Sequence, residues 1–173
     1  DESVVAAISK KAMDEVLDLA DALSRSSQGA TIFRGEFLSP LSQNYTRVYS
    51  YGDGFTLEDE PLEKLSALGN AYLSSTSEGR RVCASNIGVV IKTGQTSHLG
   101  SFVVVDHGGG ILTWYCNLSD FNVREGDVVA KGEIIGKSGE LMLVDGDGFL
   151  LLFSVKGTFV DPSLILGKEI YVQ

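Results

Sequence analysis

The chain has 173 residues, 43% hydrophobic and 21% charged, with a net charge of −9 and a pI near 4.6. This suffices for one sizeable core and excludes wholesale disorder. It argues against nucleic-acid and anionic-membrane surfaces, which need clustered Lys and Arg. No run of about 18 apolar residues occurs, so no segment reads as bilayer-spanning, and the stretch after Asp1 does not read as a secretory leader.

In chain order, residues 3–25 read as a helix. Val5, Ile8, Ala12, Val16, Leu19 and Leu23 recur at spacings of three and four, with Lys10, Lys11, Asp14, Asp18 and Asp21 mostly between them, and Ser3 suits an N-cap. The stripe fits a helix packed on its own domain, and equally a short coiled-coil seam or linker. "SRSSQGA" (24–30) ends it, which divides the chain into an N-terminal helix and linker, 1–30, and a domain, 31–173. "TIFRGEFLSPL" (31–41) alternates weakly and stops at Pro40, and "TRVYSYGDGF" (46–55) reads as a strand entering a Gly turn. The acidic stretch 56–69 contains "PLEKLSAL", which suits one or two helical turns with a solvated face.

From Val82 the texture is all-β. "RVCAS", "GVVIKTG", "SFVVVDH", "GILTWYCNL", "DVVAKG", "EIIGKSG", "FLLLFSV" and "TFVDP" are short, mostly β-branched or aromatic, and punctuated by Gly, Asp, Asn or Ser. Strands this frequent without intervening helices predict a sandwich or barrel. "DHGGGI" (106–111) predicts a hairpin turn, because consecutive glycines adopt positive φ without steric cost. The 20 glycines against 3 prolines fit such an architecture.

Few residues here suit metal chemistry. Cys83 and Cys116 form no Cys-x-x-Cys pair, and their spacing leaves open whether a disulfide joins them. The two histidines, His98 and His107, lie apart and lack a third soft ligand. Asp145 and Asp147 in "LVDGDGF" have the spacing of a calcium loop's first two ligands but lack its remaining acids, so a hairpin turn is the better reading.

Four segments together, in order and spacing, carry a resemblance. They are "GRRVCASNIGVV" (79–90), "FVVVDHGGGILTWYCNLSDFNVREGDVVAKGEIIGKSG" (102–139), "GFLLLFSV" (148–155) and "KGTFVDPSLIL" (156–166). Over about residues 37–166 the chain resembles the LytM/lysostaphin-type zinc endopeptidases of bacterial cell envelopes. The resemblance implies an antiparallel β-sandwich or barrel of the duplicated hybrid motif type, here with an N-terminal α-helix. In that family a His-x-x-x-Asp and the second His of a His-x-His strand hold zinc. The first His of that strand and the His of Tyr-x-His-Leu act on the metal-bound water or the transition-state charge.

Carried over by position, the resemblance places Gly69, Leu73 and Leu152 at the zinc ligands. Leu150 and Asn117 fall at the two catalytic histidines. It therefore implies a degenerate member with no catalytic residues, no metal and no cofactor. Leu150 and Leu152 share one strand face and Leu151 and Phe153 the other, so the former metal floor becomes apolar. It is then either sealed by the chain itself or offered to a partner together with Trp114, Tyr115 and Asn117, the candidate cleft-binding residues.

The function expected is a catalytically inactive cell-envelope domain for protein–protein interaction, scaffolding or regulation of cell-wall hydrolysis. The expected place is the bacterial cell surface or periplasm, with a membrane tether outside this chain. The expected partner is a protein or peptidoglycan, not nucleic acid. The alternatives are a non-cleaving peptidoglycan-binding module, an active zinc endopeptidase, and a biotinyl or lipoyl carrier. The carrier's rhythm is echoed by "VREGDVVAKGEIIGKSGELML", but no Lys stands beside Met142.

Overall fold

The computed structural model describes residues 10–41, 45–52, 54–56, 64–66, 68–74, 80–96, 99–140 and 147–166. Among these residues, helix α1 (Lys10–Arg25) is followed by twelve strands. These are β1 (Tyr45–Tyr49), β2 (Gly54–Thr56), β3 (Lys64–Ser66), β4 (Gly69–Ser74), β5 (Arg81–Cys83) and β6 (Gly88–Thr96). Then come β7 (Gly100–Asp106), β8 (Ile111–Phe121), β9 (Val128–Val129), β10 (Ile134–Glu140), β11 (Asp147–Val155) and β12 (Thr158–Val160). Ten strands form one curled antiparallel sheet in the order β1-β4-β11-β10-β8-β7-β6-β9, with β12 on β11 and β5 on β10, while β2 and β3 form a separate ribbon. The expectation of a mostly β, antiparallel fold with an N-terminal helix is met.

The long strand β8 organises the sheet. Its first half pairs with β11, Ile111 opposite Val155 through Cys116 opposite Leu150. Its second half pairs with β10, Leu118 opposite Ser138. The change of partner falls at Asn117, which has φ 61°. One left-handed residue turns the strand there, and Asn tolerates that conformation better than most side chains.

Alternation splits the apolar residues between two faces of the sheet. Val82, Val103, Val105, Tyr115, Ile135, Leu151 and Phe153 lie in the cluster that the sheet curls around, closed by Phe37 and Leu41 of the entering segment. Phe102, Val104, Leu112, Trp114, Cys116, Leu150 and Leu152 lie in the other cluster, to which α1 contributes Val16, Ala20 and Leu23. The predicted division of Leu150 and Leu152 from Leu151 and Phe153 is thus observed.

Two local expectations change. The helix ends at Arg25 as read, but its seam is consumed within the chain: Val16 and Leu23 are buried on the sheet and Leu19 partly so. This answers the coiled-coil alternative for the described part; residues 1–9 lie outside the described residues. The helical turns expected in "PLEKLSAL" are replaced by β3, because cross-strand pairing of Phe55 with Leu65 overrides weak local propensity. The segment 31–41 forms no strand, only the isolated bridges Phe37 to Leu166 and Leu41 to Val82.

Candidate functional site: a sealed apolar face

Register brings several assigned positions together. Leu152 lies opposite Gly69 on one side and Trp114 on the other, and Leu150 opposite Ala71 and Cys116. Leu73 lies opposite Gly148, to whose carbonyl the Asn117 amide donates at 3.3 Å. The positions assigned by resemblance to zinc ligands and catalytic histidines therefore converge on β4, β8 and β11.

Apart from Asn117, what converges is apolar. Leu150 is 4% and Leu152 1% exposed. Burying two leucines stabilises the fold by about 1.5–3 kcal/mol each. At Gly69 no side chain fits: a Cβ would lie 2.0 Å from the Leu151 carbonyl oxygen. Among the described residues no group of three or more His, Cys, Asp or Glu is placed to hold a metal ion. The residues present do not fit zinc, whose sites need three close nitrogen, sulfur or oxygen donors.

The candidate cleft-binding residues Trp114 and Tyr115 are both fully buried. Trp114 lies on the α1 side, its indole N–H donating to Ser154 Oγ at 3.0 Å, its ring packed against Phe159 and Phe102. Tyr115 lies on the opposite face, where its hydroxyl accepts from the Ser85 amide at 2.9 Å. Strand alternation separates two adjacent aromatics that cannot serve one site. Asn117 is half-buried and held by its own chain.

The remaining titratable groups are structural. His107 is buried, with Nδ1 2.8 Å from the Ile87 carbonyl and Nε2 2.9 Å from Thr113 Oγ1. A carbonyl only accepts, so Nδ1 carries the proton and Nε2 accepts. Burial pushes the His107 pKa down to about 4, against smaller upward effects of the Ile87 carbonyl and Asp106. Cys83 and Cys116 are both free, which answers the disulfide question. Burial raises both thiols, which keeps them protonated at neutral pH. His98 and most of the "LVDGDGF" loop lie outside the described residues.

Sequence reasoning missed the residues that fix α1 over this face. Asp106 is buried and accepts from Ser27 Oγ at 2.5 Å, the Gln28 amide at 3.1 Å and the Gly108 amide at 2.8 Å. The signal lay in "DHGGGI": Gly108 has φ 86°, and a Cβ there would lie 2.1 Å from the Ala30 carbonyl, so the linker crosses directly over the turn.

Comparison with known proteins places this arrangement. The family described as peptidase family M23 matches residues 69–162, more than half of the chain. Stage II sporulation protein Q of Bacillus subtilis is 33% identical over 139 residues, 75% of this chain and 49% of its own length. The peptidoglycan DD-endopeptidase ShyA of Vibrio cholerae is 35% identical over 86 residues, 50% of this chain and 20% of its own. The chain thus spans about half the length of the first relative and a fifth of the second. The solved SpoIIQ–SpoIIIAH pore-forming complex superposes with a TM-score of 0.66 at 24% identity, covering 76% of this chain and 91% of that one.

Proposed function

The chain belongs to peptidase family M23, and we propose that it serves there as a catalytically inactive domain whose work is binding another protein in the bacterial cell envelope. The sealed face carries this reading. Leu150 and Leu152 occupy the positions that resemblance assigns to the paired histidines, and they are buried in one cluster with α1. Hydrolysis by this family's chemistry needs a bound metal with an open position for water; a dry leucine floor offers neither. Sporulation protein Q has been solved in complex with SpoIIIAH, which supports a protein partner for this chain as well; the envelope location is part of the same proposal. The same sealing argues against a peptidoglycan-binding cleft, since Trp114 and Tyr115 are not available for stacking on a sugar.

Two measurements test it. Purified protein incubated with equimolar Zn²⁺ and peptidoglycan is expected to release no peptides and to retain no stoichiometric zinc after desalting; turnover with bound zinc would overturn the inactive reading. Sedimentation with a SpoIIIAH-type protein of the same organism is expected to show a complex. Binding to peptidoglycan sacculi without binding that protein would overturn the protein-partner reading.

A further inference from the structure

Helix α1 is joined to the sheet in two ways. Its C-terminal end is tied to one hairpin turn: Ser27 Oγ donates to Asp106 and accepts from the Gly110 amide at 3.0 Å, and the Gly109 amide donates to the Gln28 carbonyl at 2.6 Å. The rest of the attachment is an apolar stripe of Val16, Ala20 and Leu23, flanked by Met13 and Leu19. Asp14, Glu15, Leu17, Asp18, Asp21, Ala22 and Arg25 face outward.

A helix of 16 residues is marginal by itself in water. The cluster on the far face of the sheet contains no residue of α1. Opening the helix therefore leaves that core whole, and units with separate cores open at lower free energy than the molecule as a whole.

We propose that α1 is a releasable cover, latched by Ser27 and Asp106, and that the face beneath it is a docking groove for an amphipathic helix of a partner protein. The helix seated there defines the ligand: apolar residues at i, i+4 and i+7, an alanine in the middle to permit close approach, and acidic residues on the outer side. A partner helix of this pattern competes with α1 for the apolar cluster that it joins beside β12, where Phe159 packs on Trp114. The proposal rests on the reading of the domain as protein-binding and names the surface. Its failure leaves binding through another face intact, which the sedimentation assay reads independently.

Ser27→Ala removes two bonds of the latch without touching either apolar cluster, and Ser27→Thr keeps the hydroxyl. In the alanine variant, amide exchange in α1 is expected to accelerate at least tenfold with little dependence on urea, while β7 and β8 exchange as in wild type. Trp114, the chain's single tryptophan, sits against Phe159 of β12, the strand beside α1. Its quenching by acrylamide is expected to rise, and excess peptide of residues 10–25 to restore shielding. The same peptide with Val16→Asp and Leu23→Asp is expected to be without effect. The threonine variant is expected to match wild type. Exchange of α1 and β8 together with one urea slope, or equal protection by both peptides, would overturn the proposal.

Discussion

At the scale of the residue, two positions carry measurable conformational and electrostatic consequences. Asn117 holds φ 61° where β8 leaves β11 for β10. A β-branched side chain is poorly suited to that conformation, so Asn117→Val is expected to cost about 1–2 kcal/mol, whereas Asn117→Gly stays close to neutral. Urea midpoints of the two variants check this. His107 has a pKa of about 4 when folded, below the usual value of about 6.5. Between those values the unfolded chain binds more protons than the folded one, so stability present above pH 6.5 is lost as pH falls toward 4. The loss is on the order of 3 kcal/mol across that window. Denaturation midpoints between pH 7.5 and 4.5 should fall more steeply in wild type than in His107→Gln, and parallel slopes would refute the assignment.

At the scale of the element, α1 contributes to the apolar cluster that holds Leu150 and Leu152. Ala20 is fully buried between helix and sheet. Ala20→Leu is expected to overpack that contact and cost about 1–3 kcal/mol, read as a lowered thermal midpoint; an unchanged midpoint would mean that the helix does not sit tightly on the sheet. Much of this element was legible beforehand. The period of Val16, Leu19 and Leu23 gave the helix and its apolar side, and the texture from Val82 gave the strands. What covers Leu150 and Leu152 was not legible, because an apolar stripe does not say what it packs on. That choice depends on the Asp106 turn and on Gly108, some 80 residues further along the chain. For the same reason Trp114 and Tyr115 looked like one aromatic site when strand alternation sends them to opposite faces. "PLEKLSAL" failed in the other direction, since its helical period is local and the pairing of β2 with β3 is not.

At the scale of the whole molecule, the proposed metal-free reading makes the stability of this fold independent of metal. An M23 domain with a filled site gains stability in proportion to the logarithm of metal concentration over its dissociation constant. Here neither a chelator nor added Zn²⁺ is expected to move the thermal midpoint by as much as about 1 °C, the range of a negligible free-energy change for a domain of this size. A chelator-induced drop of several degrees would expose a metal site among the residues not described. The three scales meet in the same arrangement, in which an intact inner core supports a sheet whose outer face is closed by the chain's own helix.

The dry floor also bears on history. A substitution toward the ligand pattern, Leu152→His for example, would place an imidazole opposite Trp114 in a buried apolar cluster. A buried polar group left unsatisfied costs about 1–3 kcal/mol, and no metal binds to one ligand strongly enough to offset it. Several ligands would have to appear together, with the strand around Gly69 moved to admit a side chain. On the proposed inactive reading, a first single step toward the ligand pattern costs stability and gains no metal, so the sealed face behaves as an evolutionary ratchet.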